Sequence, residues 1–291
     1  MDLNGDGSDD ILSGSYSRHD TDMAGTFQVL WGQGDGTFTT AVDLMGTDEQ
    51  PLIIPTQSRE QMTQKICTRP TAVDWDADGD LDLVVGNFAG SLYLFRGEAQ
   101  GGFNPVPEPI MAGDSPLTVR GAHSDPVVVD WDGDGDLDIL SGSSSGGVQW
   151  ASNTAGQGEP PAFESFQTLI ATGNRGPSGG ILRASDLTGP GNSTRIWVDD
   201  VNLDGKLDLL VGDSTTLTTP AEGLSDEQFE QRYAQWNQDL QAAMAAMRAL
   251  GPDAEQDAIY AARDHYDEVR QAQSEIMTQE RTGFVWLYLQ Q

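Results

Sequence analysis

The sequence predicts an all-β chain built from repeated units of short strands and interrupted once by a pair of helices. Three observations predict it. An Asp- and Gly-rich pattern occurs four times, each time running into a short apolar stretch that ends in Gly. Glycine (34 residues) and proline (14) are plentiful while hydrophobic residues make up 37%, which suits short strands and tight turns better than a helical core. One stretch, 224–281, departs from the pattern and carries apolar residues at spacings of three and four.

The repeated pattern reads DLNGDGSDDILSG from Asp2, DWDADGDLDLVVG from Asp74, DWDGDGDLDILSG from Asp130 and DVNLDGKLDLLVG from Asp200. Each copy is Asp-x-Asp/Asn-x-Asp-Gly-x-x-Asp. A hard divalent cation such as Ca²⁺ takes six to eight oxygens at about 2.3–2.6 Å. Side chains at loop positions one, three and five point inward together when the backbone curls round an ion, and Gly at position six tolerates the turn. The carbonyl of position seven and the Asp at position nine complete the cage. The candidate side-chain ligands are Asp2, Asn4, Asp6 and Asp10; Asp74, Asp76, Asp78 and Asp82; Asp130, Asp132, Asp134 and Asp138; and Asp200, Asn202, Asp204 and Asp208. The candidate carbonyls belong to Ser8, Asp80, Asp136 and Lys206.

An EF-hand shares the first half of this pattern but requires a bidentate Glu at position twelve, between two helices. Here position twelve is Ser13, Val85, Ser141 or Val211, and β-favouring runs follow. One such cluster could be a solvated turn. Four copies sharing every ligand position point to calcium, up to four ions. Magnesium fits less well, because it keeps several waters and seldom uses a full protein cage.

Further strands flank each loop. TAVDW, VVVDW and IWVDD precede three of them, and FQVLWGQGDGTF (27–38), SLYLFRGEAQGGF (91–103) and VQWASNTAGQGEPPAF (148–163) follow. Three or four short strands per unit with Gly-rich turns describe a propeller blade. The predicted fold is therefore a β-propeller-like array of four recognisable blades, with an α-helical hairpin inserted in the last.

With their trailing strand–GxGxF segments, these loops resemble FG-GAP/VCBS repeats, the units of the integrin α-chain propeller and of many bacterial secreted proteins. The resemblance covers residues 2–213 and returns at 283–289. It implies that each ion-binding loop joins the two innermost strands of a blade and is structural. It also implies an exported protein serving in adhesion, ligand binding or as an accessory domain of an enzyme. Integrin-type rings have about seven blades, against four units here, and the first unit shows no strand before Asp2.

The hairpin opens on a capping box, Ser225 and Gln228. Phe229, Tyr233, Trp236, Leu240, Met244 and Met247 then follow at helical spacing, and Gly251-Pro252 stops the run. A second run carries Ile259, Ala262, Tyr266, Val269 and Ile276, so two antiparallel helices of about 25 residues are expected. TGFVWLYLQ then reads as a buried strand, apolar on both faces. The expected organisation is 1–223 propeller blades, 224–281 hairpin and 282–291 the final blade strand. The aromatic stripe is either the hairpin's own seam or an arm for docking and self-association.

Forty-six acidic residues against 15 basic leave a net charge of −31, which repels nucleic acid and anionic membranes. No apolar run approaches a membrane span. Cys67 is the single cysteine, so neither a disulfide framework nor a Cys-based zinc site is expected. Met1 leads straight into DLNGDGSDD with no signal peptide, and the export signal is expected to be missing from this chain. The expected location is secreted, periplasmic or cell-surface.

No Ser/His/Asp elbow, P-loop or HExxH occurs. His19, His123 and His265 are scattered. Five residues before three of the loops stand Arg69, Asp125 and Arg195, with His123 nearby; in a propeller these positions ring the channel mouth, where pockets form. They form a candidate ligand site, or alternatively salt bridges that steady the strand entries. The expected function is a calcium-stabilised scaffold that binds a protein or glycan. The alternatives are a polysaccharide lyase or hydrolase using Arg, His and Asp at that mouth, and a purely structural surface module.

Overall fold

Each Asp-rich loop is too polar and too rich in Gly to pair with anything, whereas the four or five residues after it are β-favouring and apolar. In the computed structural model each such run is a strand in antiparallel register with its neighbours. The structure describes residues 1–17, 23–56, 59–99, 102–156, 159–174, 180–251 and 254–291.

In chain order the strands begin with β1 (Ile11–Gly14), β2 (Phe27–Leu30), β3 (Val42–Asp43), β4 (Arg69–Val73), β5 (Asp82–Gly86), β6 (Leu92–Phe95) and β7 (Glu108–Pro109). Then come β8 (Met111–Ala112), β9 (Ser115–Pro116), β10 (Asp125–Val129), β11 (Asp138–Gly142), β12 (Val148–Ala151) and β13 (Gln167–Ile170). The series ends with β14 (Asn192–Asp199), β15 (Asp208–Pro220), helices α1 (Asp226–Ala249) and α2 (Gln256–Gln271), β16 (Met277–Thr282) and β17 (Val285–Tyr288). The chain is thus mostly β, in several antiparallel sheets. The sheets that follow an Asp loop run β1-β2-β3, β4-β5-β6-β7, β10-β11-β12-β13 and β14-β15-β17, and are called here the first to fourth sheets.

The chain divides into two compact units. One comprises 1–173, 189–214 and 284–291; the other comprises 174–188 and 215–283.

In the first unit the core lies between consecutive sheets. Phe27 and Val29 of the first sheet pack with Leu83, Val85 and Phe95 of the second. Val84, Leu92 and Leu94 meet Val128, Ile139 and Ala151 of the third. Leu140 and Val148 meet Ile196, Val198, Leu209 and Val211 of the fourth. The alternation along each strand explains this: Leu83 and Val85 face backward and Val84 faces forward, so every inner sheet is covered on both sides.

β17 corrects one expectation. The sequence predicts burial on both faces, but Trp286 and Tyr288 pack against the core while Val285 and Leu287 are exposed. Period-two alternation sends the latter pair to the forward face of the last sheet, which no described residue of this unit covers.

In the second unit the distal half of β15, from Thr215 to Pro220, pairs with β16, and Leu182 exchanges two 2.9 Å backbone hydrogen bonds with Thr218. The helices sit between these two strands in the chain. Ser225 caps α1 as expected, with Gln228 reaching back. Arg183 adds a 2.7 Å ion pair to Asp226 in the first turn. Phe229 is buried with Ile276 and Met277, and Tyr233, Trp236 and Ile181 pack around them.

The second helix is shorter than expected, 16 residues, because the chain tightens into a 3₁₀ turn at Ala272–Glu275 to enter β16. Ile276 therefore lies beyond the helix, and the polar run MTQERT is a strand. Its partner is TTLTTP (215–220), whose β-branched threonines supply the strand propensity that MTQERT lacks. Pro252, read as the helix stop, lies outside the described residues, as does His19. His265 is exposed.

Candidate functional site

The four loops share one hydrogen-bond scheme. The residue at position seven donates its N–H to the carboxylate at position five: Ser8 to Asp6, Asp80 to Asp78, Asp136 to Asp134 and Lys206 to Asp204, at 2.9–3.0 Å. The carboxylate at position one accepts the N–H of position six, from Gly7, Gly79, Gly135 and Gly205. That turn needs φ of +86 to +96° at position six, which glycine supplies without steric cost. Position four is left-handed too, and there the chain places Gly5, Ala77, Gly133 and Leu203.

The Asp at position nine has a second task. Asp10, Asp82, Asp138 and Asp208 are all buried. One oxygen of each accepts the N–H of loop position two (Leu3, Trp75, Trp131 or Val201). The other accepts an N–H just past the end of β2, β6, β12 or β17 (Gly32, Gly97, Asn153 or Gln290). The loop is thereby stapled to its sheet. Burial holds the carboxyls of Asp82 and Asp138 above the usual carboxylate range, against those hydrogen bonds.

Two loops bring three carboxylates to one point. Oxygens of Asp74, Asp76 and Asp78 lie within 4.8 Å of one another, as do those of Asp130, Asp132 and Asp134. Asp82 and Asp138 are not part of these groups. Partial desolvation, then repulsion from Asp134 and Asp130, holds Asp132 above the usual range. In the first and fourth loops an Asn stands at position three and its amide donates to the neighbouring carboxylate, Asn4 to Asp6 and Asn202 to Asp204.

The donor set fits a hard cation. All three groups in each triad are carboxylates, and Asp74 Oδ1 is buried with no hydrogen-bond partner among the described residues, a costly state for a carboxylate oxygen. A bound cation would satisfy it. Arg96, which the sequence reading did not single out, binds Asp76 at 2.9 Å and approaches Glu108 at 3.6 Å. It lines a cleft of about 520 Å³ between the second and third loops, with Trp75, Asp136 and Pro160.

At the opposite end of the loop-entry strands β4, β10 and β14, the structure brings the second candidate set together. Arg69, Asp125 and Arg195 occupy one register position, each across from a glycine (Gly86, Gly142, Gly212). Arg69 Nε lies 3.6 Å and Arg195 Nε 3.8 Å from the Asp125 carboxylate. Each guanidinium also donates to a backbone carbonyl, Thr68 and Thr194 respectively, and is more than a third exposed. Burial pushes Asp125 up, against the pull of the two guanidiniums.

His123 packs against Phe88 with the rings tilted 49° and their centroids 4.2 Å apart, and burial, then Arg195 and Arg69, push its imidazole below the usual range. Cys67, His123 and Ser193 occupy equivalent positions and are all left-handed, with φ of 54, 55 and 52°. The alignment seven residues ahead of each loop was the signal that would have found this trio.

These Asp loops, each stapled to an antiparallel sheet, define a repeated loop-and-sheet unit. A family model described as an FG-GAP-like repeat matches residues 74–141, from the first residue of the second loop to β11. The chain therefore carries an FG-GAP-type repeat over that stretch. No curated protein matches the chain significantly.

Proposed function

We propose that this chain is a calcium-stabilised, propeller-type binding module, in which Ca²⁺ in the Asp loops rigidifies the sheets and a protein or glycan is recognised at the Arg69–Asp125–Arg195 cluster. The observation that supports the metal is the convergence of the two Asp triads with an orphaned oxygen on Asp74. Asp74, Asp76 and Asp78, and Asp130, Asp132 and Asp134, would hold the ions; Asn4 and Asn202 would take the third position in the weaker loops. The ion's chemistry here is charge neutralisation, which removes the repulsion among carboxylates that otherwise opposes the closed loop.

Two guanidiniums on one carboxylate, each more than a third exposed, support the ligand site, because they leave a local positive charge on a chain of net −31. An acidic sugar or a carboxylate-bearing peptide matches it, since guanidinium recognises carboxylate through a planar fork. An exported setting fits as well, because extracellular modules hold Ca²⁺ with Kd of about 10⁻⁴–10⁻³ M.

A lyase or hydrolase at the same mouth is the second reading. It is favoured by His123, whose pKa burial and then the two arginines lower, so that the imidazole favours the form that can take a proton. A glycan array in Ca²⁺ and in chelator, run with Arg69→Gln and Arg195→Gln, tests the binding reading. Acidic glycans should be retained by the wild type and lost by both variants. Equal retention by all three would overturn it, and turnover of a bound acidic glycan that His123→Asn abolishes would favour the lyase.

A further inference from the structure

Asn4 is the only asparagine of the chain followed by glycine, and the Asn4–Gly5 peptide lies exposed in the first loop. An asparagine amide and the backbone nitrogen that follows it are a reactive pair, because that nitrogen can attack the side-chain carbonyl carbon and close a succinimide ring. The bulk of the next side chain and the proton on the nitrogen normally oppose the attack.

The first loop removes both obstacles. Glycine leaves the nitrogen open on the side where a Cβ would stand, and a Cβ there would meet nothing within 4 Å. Gly5 N–H donates to Asp2 Oδ1 at 2.8 Å, so a carboxylate stands where the proton must go. Asp6 N–H donates to Asn4 Oδ1 at 2.9 Å. That bond folds the side chain forward over the Gly5 peptide, as in an Asx turn, and puts a donor where negative charge develops on the amide oxygen. Asn4 Nδ2, the atom that departs, donates to Asp6 Oδ2 at 3.1 Å.

The fourth loop is a built-in comparison. Asn202 makes the same two bonds with Asp204, at 2.9 and 3.0 Å. Its next residue, however, is Leu203, whose side chain stands beside the nitrogen, and Asp200 Oδ1 accepts the N–H of Asp204 rather than that of Leu203.

We propose that Asn4 is a modification site at which the chain deamidates itself, and that its conversion to aspartate completes in the first loop the carboxylate triad that the second and third loops carry from the start. Gly5 N bonds to Asn4 Cγ as its proton passes to Asp2. The Cγ–Nδ2 bond then breaks, and Nδ2 leaves with that proton as ammonia. Water opens the ring at Cγ to give aspartate, or at the backbone carbonyl to give isoaspartate, which lengthens the loop backbone and takes it out of register. In the aspartate product a carboxylate beside Asp6 replaces the Asn4–Asp6 hydrogen bond, so the closed loop comes to depend on a cation. That consequence rests on the calcium reading above, whereas the modification itself does not.

The test is to incubate the full chain at mildly alkaline pH, digest it, and follow the amide-to-acid mass shift of the peptides that hold Asn4 and Asn202, with aspartate and isoaspartate products separated. Asn4 should convert about tenfold faster than Asn202, because glycine permits an approach that a side chain blocks. Gly5→Ala should slow Asn4 by a similar factor; the second loop carries Ala77 at this left-handed position, so the loop tolerates the change. Leu203→Gly should speed Asn202 in the same way. Equal rates at Asn4 and Asn202, or a Gly5→Ala chain that converts as fast as the wild type, would overturn the modification site. Isoaspartate as the sole product would overturn the completed triad. Calorimetry on Asn4→Asp should show Ca²⁺ bound about tenfold more tightly in the first loop, since ligand charge tunes such sites. Unchanged binding there would overturn the triad's role and the calcium reading of that loop, a failure distinct from unconverted Asn4.

Discussion

Replacing Gly142 by alanine should break the junction between the third and fourth sheets, while the same change at Gly212 should do almost nothing. A Cβ on Gly142 stands 2.8 Å from the carbonyl carbon of Thr194, against the ~3.5 Å of an ordinary carbon–carbon contact, and overlaps its oxygen. Both neighbours are backbone, so the sheets must separate. Separation loses the Ser143–Thr194 pair of hydrogen bonds at 2.9 and 3.0 Å, about 1 kcal/mol each. Overpacking of the adjoining Leu140–Ile196 core adds about 1–3 kcal/mol. The expected loss is about 3–5 kcal/mol, a large share of a domain's net stability. At Gly212 the nearest atom to the new methyl lies at 3.8 Å, so the change should stay within about ±0.5 kcal/mol. Urea unfolding followed by tryptophan fluorescence compares the two, and an insoluble Gly142→Ala beside a wild-type-like Gly212→Ala counts the same way. Equal midpoints for both variants would refute the junction as described.

Three other outcomes are expected. Leu203 is 87% exposed and left-handed at loop position four, so Leu203→Gly should raise stability by about 0.5–1 kcal/mol in urea; a loss would mean that its side chain packs. Arg96→Ala frees Asp76 and removes a positive charge beside the second loop, so Ca²⁺ should bind there about three- to tenfold more tightly by calorimetry, with the third loop unchanged. His123 has a lowered folded-state pKa, so below about pH 6.5 the unfolded chain takes up a proton that the folded chain refuses. Stability should therefore fall as pH drops through that value, and more steeply for the wild type than for His123→Asn; parallel pH profiles would show that His123 does not contribute.

The four loops and their strands were legible because the loops repeat their Asp and Gly residues at fixed spacing, and the apolar run after each has one strand's length. The Arg69–Asp125–Arg195 alignment was legible for the same reason, since equal offsets from the loops mean equal register. The junctions were not: Gly86 and Gly142 read as strand ends, and only the approach of Ser124 and Thr194 shows why no side chain fits. Arg96 was invisible because its partner Asp76 lies 20 residues away across a sheet. The strand at 277–282 was missed because MTQERT has neither apolar alternation nor strand propensity of its own and depends on its partner β15. β17 was read as buried because apolar composition alone does not distinguish a covered face from an open one.

The central claim, that the Asp loops hold Ca²⁺ and that the ion stabilises the fold, is tested most directly by thermal unfolding in 1 mM Ca²⁺ (about tenfold above the tighter Kd expected of an extracellular module) and in excess chelator. At such a ratio each occupied site adds about 1.4 kcal/mol, so the two Asp triads together contribute about 3 kcal/mol. That corresponds to a melting temperature higher by about 6–12 °C in Ca²⁺. Asp132→Asn and Asp76→Asn, each removing one carboxylate from a triad, should each lose part of the difference. Coincident melting curves with Ca²⁺ and with chelator would contradict the account.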